Sequence, residues 1–147
     1  MRLRNWNVIP EKKGVYAIIC PPDFIRDDFK DKGSGGVLKK KKANVVVSEL
    51  IDKWVDNTNI LYIGKVGGKN PRRTLLNRIK EYMLFGSGKS YPHWGGRYIW
   101  QLSESNVSQL HLVWRICTDG EAPVKLERDL LNQFKDQYGK FPFANIV

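Results

Sequence analysis

Two tyrosines, an arginine and a glutamate are the side chains of this sequence whose positions suggest chemistry. Tyr16 and Tyr62 each lie in the middle of a short apolar run with β-branched members. Arg78 and Glu127 each lie in a segment of helical periodicity, Arg78 at the border of the apolar stripe and Glu127 inside it. Phenol hydroxyls, a guanidinium and a carboxylate can together orient water, bind a phosphate and hold a divalent cation. The set is therefore suited to reactions of phosphate esters.

Glu127 is the sharpest anomaly in the pattern. On a wheel of about 100° per residue, residues 123–138 form one helix with an apolar arc of about 160°. Glu127 falls near the middle of that arc, whereas Asp129 and Asp136 lie on the opposite side. A carboxylate in apolar surroundings is costly unless it is paired, protonated or bound to a metal. Glu127 is therefore part of a buried ion pair, a side chain at the helix end that reaches past its neighbours, or a metal ligand.

Short strands are expected to position both tyrosines. Residues 14–20 and 59–65 are rich in β-branched and aromatic side chains, and both runs have the length of strands. If the two strands pair, their tyrosines lie at one end of a sheet. Residues 109–117 alternate between apolar and polar side chains, which predicts a half-exposed antiparallel strand. The apolar run 98–102 is also interpreted as a strand.

Helices supply the other candidate residues. Residues 74–85 have an apolar stripe at helical spacing, followed by a glycine-rich stop. Arg78 and Tyr82 are four residues apart, so they lie together on one edge of that stripe. Residues 21–59 are expected to be an insertion between two neighbouring strands, with a helix over 45–55. The glycine-rich stretch 33–36 within it is interpreted as a flexible joint.

The composition predicts one domain with a polyanionic partner. The chain has 147 residues, of which 41% are hydrophobic, and this is enough for one core. Its net charge is +10, and residues 65–97 contain eight basic residues against one acidic residue, which gives +7. The candidate contacts to a nucleic-acid backbone are Lys69, Arg72, Arg73, Lys89 and Arg97.

Several other classes of protein find no support in the sequence. Cys20 and Cys117 have no second cysteine or histidine at metal-binding spacing, so we expect reduced core cysteines and no disulfide or zinc site. No apolar stretch approaches the roughly 20 residues of a membrane span, and the N-terminus lacks the apolar region of a signal peptide. We expect a soluble, cytoplasmic protein with neither a membrane partner nor an organic cofactor.

Five motifs, in this order along the chain, resemble those of the GIY-YIG nuclease family. The first two are the tyrosine strands, Gly14-Val15-Tyr16 and Leu61-Tyr62-Ile63-Gly64. The others resemble the arginine helix, the glutamate helix and the closing asparagine motif of the family: Leu75-Leu76-Asn77-Arg78-Ile79-Lys80-Glu81-Tyr82, Leu126-Glu127-Arg128-Asp129-Leu130-Leu131 and Pro142-Phe143-Ala144-Asn145. The chain departs from the family in the insertion between the tyrosine motifs and in a longer loop between Gly64 and Arg78.

The resemblance implies an α/β fold: one domain over residues 1–147, with a small central antiparallel three-stranded sheet flanked by helices and an insertion at 21–59. It also implies an endonuclease that hydrolyses phosphodiester bonds in DNA with one divalent metal, Mg²⁺ or Mn²⁺. Glu127 would hold the metal, and Arg78 would bind the scissile phosphate. Tyr16 and Tyr62 would position the attacking water, and one of them would act as general base if Lys65 or the phosphate site lowers its pKa.

Three further residues receive roles from the resemblance. Tyr82 lies where the family often has a tyrosine or histidine, and it is assigned an orienting role. His93 lies in a loop where some members have a histidine that accepts or relays a proton, work that suits histidine near neutral pH; a loop histidine without chemistry is the alternative. Asn145 is expected to be a buried, hydrogen-bonded amide that fixes the site.

Two other functions stay open. A non-catalytic nucleic-acid-binding module would keep the fold and the basic face, but without a metal it would have no use for a carboxylate that faces phosphates. A basic structural or protein-interaction domain is supported only by the lysine run 39–42 and by the helix of the insertion. The salt dependence of DNA binding separates the structural domain from the other two functions. Cleavage in Mg²⁺ separates the nuclease from the binding module.

Overall fold

A computed structural model describes residues 6–35, 37–38, 41–42, 44–67, 72–89 and 97–146 of the chain. The strands in these ranges are β1 (Gly14–Ile19), β2 (Val37–Leu38), β3 (Lys41–Lys42), β4 (Ile60–Val66) and β5 (His111–Ile116). The α-helices there are α1 (Val47–Lys53), α2 (Leu75–Gly86), α3 (Glu104–Ser108) and α4 (Pro123–Tyr138). The main sheet is antiparallel, with three strands in the order β4-β1-β5. The chain is thus a small α/β protein with the three-stranded antiparallel sheet that was expected.

The two tyrosine-bearing strands are direct neighbours. In the β1–β4 pair, Tyr16 lies opposite Gly64 and Ile18 lies opposite Tyr62. On its other side β1 pairs with β5, whose Leu112 and Trp114 are half-buried, while the alternating His111, Val113 and Arg115 are exposed. The half-exposed antiparallel strand predicted over 109–117 is therefore confirmed. Because β1 is central, the position of Tyr16 is fixed from both sides.

Helices α2 and α4 begin and end where their local chemistry dictates. The Thr74 hydroxyl accepts a hydrogen bond from the Asn77 N–H, and the Asn77 side chain accepts one from the Thr74 N–H, which forms a reciprocal cap for α2. Helix α4 starts at Pro123 and ends before Gly139, which adopts a left-handed conformation with φ of 76°. The predicted bounds, 74–85 and 123–138, agree with the observed ones to within one residue.

The segment 21–59 connects β1 to β4, and it is packed more closely than the sequence suggested. It contains the β2–β3 pair and α1, which is shorter than the predicted 45–55 helix because Val46 and Trp54 are already extended. The Gly33 N–H donates to Asn44 Oδ1 at 2.8 Å, and the Ser34 N–H donates to the Trp100 carbonyl at 3.1 Å. The first half of the glycine-rich stretch is therefore anchored, and its interpretation as a flexible joint is wrong there.

The strand predicted at 98–102 is also wrong. Residues Arg97–Gln101 form a 3₁₀-helix in which the four residues after Arg97 are buried. A run that is buried on all sides has no periodicity that separates a strand from a helical turn. Gln101 Nε2 donates to the carbonyls of Lys30 and Val45 at 3.0 and 2.9 Å, and Oε1 accepts from the Val45 N–H at 2.7 Å. This one amide ties the segment 21–59 to the core.

The cysteine and membrane predictions have separate outcomes. Both cysteines are free thiols, and Cys20 is buried as expected, but Cys117 is only half-buried and so is not a core residue. Within the described ranges, none of the helices combines the length and the apolar character needed to cross a membrane.

Candidate functional site

The two strand tyrosines form a buried pair. Their ring centroids are 5.8 Å apart, and their planes are inclined at 57°. The Tyr16 ring lies over Gly64, where an added Cβ would stand 2.7 Å from Tyr16 Cζ. A side chain at Gly64 would therefore displace the ring, which explains the glycine at this position of β4. Tyr16 is 2% exposed and Tyr62 7% exposed, so Tyr62 is the tyrosine nearer to solvent.

Arg78 of α2 joins this hydroxyl pair. The Tyr16 hydroxyl is hydrogen-bonded to both Tyr62 and Arg78. The guanidinium charge lies close enough to both tyrosines to favour their ionised forms. Its side chain is partly buried, at the border between core and solvent that the helical periodicity indicated. The first turn of α2 thus holds a cation that is bonded to one phenol and lies near the second.

Glu81 is a site residue that the sequence reasoning missed. Its carboxylate accepts hydrogen bonds from Nη1 and Nη2 of Arg73 at 2.5 and 2.7 Å, and from Arg78 Nη1 at 3.2 Å. Burial on its own raises the pKa of Glu81, but the two arginines outweigh it and hold the pKa below its usual value. The signal that could have identified it is an acid three residues after Arg78, within an otherwise basic stretch.

Burial keeps both tyrosines protonated near neutral pH. Desolvation raises the pKa of Tyr16 well above its usual value, and Arg78 opposes this only in part. Desolvation also raises the pKa of Tyr62, while the hydrogen bond with Tyr16 and the charge of Arg78 lower it. The same hydrogen bond raises the pKa of Tyr16, so Tyr62 is the tyrosine that ionises more readily. In the free protein both side chains are neutral hydroxyls.

Glu127 lies beside Lys65, at the face of the sheet opposite the tyrosines. Strand side chains alternate between faces, so Lys65 projects away from Tyr62, toward α4. Lys65 Nζ is 3.9 Å from Glu127 Oε1, and the two side chains are 38% and 22% exposed. Burial raises the pKa of Glu127, against the attraction of Lys65 and Arg78. The free protein therefore contains an ion pair, but a loose and partly solvated one and not the buried pair considered from the sequence.

The two faces meet in a pocket at the end of β4, which we call the sheet-end pocket. It has a volume of about 230 Å³ and is lined by Lys65, Val66, Gly67, Arg73, Arg78 and Val124. Its three cations come from β4, from the residues before α2 and from α2 itself, while Val124 belongs to the first turn of α4. The charge of Glu127 acts on both Tyr62 and Arg78, so its carboxylate is close to this pocket. Three converging cations can bind a phosphate group.

Two of the predicted residues hold other parts of the site in place. Tyr82 is fully buried and stacks on Tyr62, with ring centroids 5.9 Å apart and planes inclined at 26°. It can orient the Tyr62 ring but is shielded from any substrate. Asn145 Oδ1 accepts from the Ile63 N–H at 2.9 Å, and Nδ2 donates to the Ile63 carbonyl at 2.8 Å. Asn145 is thus hydrogen-bonded as the sequence predicted, but it is half-buried and not buried, because it lies on the outer edge of β4.

The predicted nucleic-acid contacts are scattered. Arg73 lines the sheet-end pocket, and Arg72 is exposed next to it. Lys89 is exposed just beyond the end of α2. Arg97 is half-buried with its guanidinium 5.2 Å from the centroid of the Tyr98 ring, and burial lowers its pKa, so it packs against the 3₁₀-helix and is not part of the pocket. The predicted site residues His93 and Lys69 lie outside the described residues.

Glu127 is the residue here that can hold a divalent cation. Among the described residues, no three histidine, cysteine, aspartate or glutamate side chains come together as a metal cluster. Mg²⁺ often uses only one or two carboxylates and completes its coordination with water and substrate phosphates. A partly buried carboxylate next to a cationic pocket of phosphate size fits an ion that binds together with a phosphate. It does not fit a resident metal centre.

The arrangement can bind a phosphate between cations, present a neutral hydroxyl beside it and offer one carboxylate to a cation. Comparison of the chain with protein-family models, with curated proteins and with solved structures gave no match.

Proposed function

We propose that this protein is a metal-dependent endonuclease of the GIY-YIG type that hydrolyses phosphodiester bonds in DNA. The observation that carries the proposal is that Arg78, which is bonded to the Tyr16–Tyr62 pair, and Lys65, which pairs with Glu127, line the same sheet-end pocket. These residues come from two strands and two helices that extend from β1 near the start of the chain to α4 near its end. Their agreement with the family's motifs, together with a net charge of +10, favours a nucleic-acid phosphate as the ligand.

Arg78 is the residue best prepared to stabilise the reacting phosphate. Its guanidinium is held by Glu81 on one side and by the Tyr16 hydroxyl on the other, so it need not reorganise when charge develops on the phosphoryl oxygens. Lys65 and Arg73 line the same pocket and add positive charge. The pocket therefore favours the more negative transition state over the bound substrate.

Tyr62 is the hydroxyl that orients the attacking water in this proposal. It is more exposed than Tyr16, and Tyr16 holds its oxygen through the hydrogen bond between the two hydroxyls. The general-base role depends on a lowered pKa, but burial raises the pKa of both tyrosines. We therefore assign Tyr62 to water positioning and Tyr16 to the support of Tyr62.

Glu127 would hold the divalent cation, with water and phosphate oxygens as the remaining ligands. When bound, Mg²⁺ or Mn²⁺ supplies positive charge that stabilises the phosphate oxygens and the leaving oxygen. The contact of Glu127 with Lys65 is long and the lysine side chain is 38% exposed, so the carboxylate can exchange this partner at little cost.

A non-catalytic DNA-binding module is the second candidate, and one observation favours it. Lys65 already compensates Glu127 across 3.9 Å, so the carboxylate has a partner without any metal. In that case Lys65, Arg73 and Arg78 bind phosphates and no bond is broken.

Incubation of the purified protein with supercoiled plasmid at low salt, in Mg²⁺, Mn²⁺ or EDTA, separates the two candidates. We expect nicked and then linear plasmid in either metal, and intact plasmid in EDTA. Arg78→Ala should slow nicking by roughly 10²-fold or more, whereas Arg128→Ala, at an exposed position of α4, should have little effect. Binding without cleavage of plasmid and of branched DNA in both metals would favour the binding module.

A further inference from the structure

A second, larger pocket lies at the other end of the sheet. It has a volume of about 780 Å³ and is formed where the chain leaves β1 and where it enters β4. Asn59 lines this pocket and Lys65 lines the sheet-end pocket. Six residues of extended strand, at about 3.3 Å each, place the two pockets about 20 Å apart. The second pocket is therefore a separate site, within the volume range of ligand-binding clefts.

The lining of this second pocket includes aromatic rings and a guanidinium. We call it the aromatic pocket and define it by Phe24, Arg26, Trp54, Asp56 and Asn57. The Phe24 and Trp54 rings are stacked with centroids 6.4 Å apart and planes at 26°. The Arg26 guanidinium lies 5.2 Å from the centroid of the Trp54 ring. All three side chains are half-buried, so part of each stays open to the pocket. Aromatic and guanidinium planes are surfaces on which unpaired bases stack.

The pocket also has a polar part. Asp56 and Asn57 are exposed and line it, so its lining includes a carboxylate and an amide besides the Arg26 guanidinium. Asn57 has a left-handed backbone with φ of 63°, which turns the chain sharply before β4. A lining with acceptors and donors suits a neutral heterocycle that forms hydrogen bonds, whereas the charged residues described in the lining of the sheet-end pocket are all cations.

The aromatic pocket is anchored in the core through Trp54. Trp54 packs edge-on against Phe143, with ring centroids 5.0 Å apart, and Phe143 stacks on Phe29 at 5.5 Å. Two residues beyond Phe143, Asn145 is bonded to the backbone of β4. The aromatic pocket is therefore held in a fixed position relative to the strand that carries Tyr62 and Lys65.

We propose that the aromatic pocket binds one unpaired base of the nucleic-acid strand whose phosphate occupies the sheet-end pocket. This inference rests on the proposed nucleic-acid partner, but not on cleavage. It gives the segment 21–59 a function, because Phe24, Arg26, Trp54, Asp56 and Asn57 all belong to it. The protein would then prefer DNA with single-stranded or distorted positions over a regular duplex.

The test is the affinity for fluorescein-labelled DNA in EDTA, measured by fluorescence anisotropy. A duplex with a single-stranded overhang is compared with a blunt duplex of the same length. We expect the overhang to be bound about tenfold more tightly, as for one stacked base. Phe24→Ala and Arg26→Gln should each remove this preference. Ile25→Ala is the matched control, because Ile25 lies between these residues but is 80% exposed and does not line the pocket.

The outcomes separate this inference from the proposed function. Equal affinity of the native protein for both DNAs, or a preference that survives both Phe24→Ala and Arg26→Gln, would overturn the base-binding pocket alone. Absence of binding to either DNA at low salt would overturn the nucleic-acid partner as well. Free nucleoside monophosphates should not displace the labelled DNA at a concentration equal to that of the oligonucleotide. If they do, the pocket binds a free nucleotide, and the proposal that it binds a base of a nucleic-acid strand is overturned.

Discussion

Glu81 links two arginines that the sequence pattern treats as independent. Its carboxylate bridges Arg73, which precedes α2, and Arg78, within α2, so it fixes two of the three cations of the sheet-end pocket. The pairs are partly buried, and loss of the carboxylate charge would leave two guanidinium groups without their strongest partner. Glu81 is therefore expected to matter for both stability and phosphate binding.

Glu81→Gln should lower the free energy of unfolding by about 1.5–3 kcal/mol at pH 7, the range for hydrogen bonds to charged groups. The folded-state pKa of Glu81 lies below the unfolded-state value of about 4.3. Its stabilisation is therefore complete above the unfolded pKa and is lost as the pH falls through the folded pKa. We expect the difference in unfolding free energy between the native protein and Glu81→Gln to shrink in acid. Urea unfolding between pH 7 and pH 2 measures it. Glu104→Gln, at an exposed position of α3, is the control. A difference in unfolding free energy that does not change with pH, or an equal loss of stability in Glu104→Gln, would contradict the role of Glu81 as a charged partner of the two arginines.

The C-terminal tail serves as a partial neighbour for β4. In the described chain β4 pairs with β1 alone, and on its other edge the Ala144 N–H donates to the Leu61 carbonyl at 2.8 Å. Asn145 then supplies both a donor and an acceptor to Ile63. Because β4 carries Tyr62 and Lys65, the tail stabilises the element on which the candidate site depends.

Asn145→Asp keeps the size of the side chain and one acceptor but removes the donor to the Ile63 carbonyl. We expect a loss of about 1–3 kcal/mol in unfolding free energy at pH 7. A carboxylate facing a carbonyl should have a pKa above its unfolded value of about 3.9. The loss should therefore shrink in acid, where the protonated carboxyl can donate. Amide exchange at Ile63 should accelerate in parallel. Asn132→Asp, exposed on α4, is the control, and equal losses in both variants would refute the edge-capping role.

Element bounds were predictable where periodicity was strong. The helices α2 and α4 and the strand β5 follow from their apolar spacing, because each has a more buried and a more exposed side. The strands β1 and β4 are buried along most of their length, and they were predictable from their β-branched and aromatic residues and their length. The 3₁₀-helix at Arg97–Gln101 was mistaken for a strand because it is buried on all sides, and the short α3 has too few residues for a pattern. The closeness of Tyr16, Tyr62 and Arg78 was predictable from the motifs. The position of Glu81 between two arginines was not predictable, because it depends on where Arg73, which precedes α2, lies relative to the helix.

The positive charge of the whole molecule should make DNA binding strongly dependent on salt. Each phosphate contact that is removed lowers the slope of log K against log salt concentration by about 1. We expect Lys65→Gln to reduce this slope by about 1 in EDTA. Lys125→Gln should leave it unchanged, because Lys125 is exposed, pairs with Asp129 and does not line the sheet-end pocket. An unchanged slope for Lys65→Gln would remove Lys65 from the phosphate-binding surface.

The most direct test of the nuclease proposal is a parallel measurement of DNA binding and plasmid nicking for Glu127→Gln and Asp136→Asn. Both variants change one carboxylate of α4 to an amide, but Glu127 lies next to the sheet-end pocket and Asp136 is exposed to solvent. The proposal predicts that Glu127→Gln binds DNA in EDTA at least as well as the native protein, yet does not nick plasmid in Mg²⁺. Asp136→Asn should bind and nick normally. Nicking by Glu127→Gln at the native rate would contradict the assignment of Glu127 as the metal ligand and, with it, the proposed mechanism.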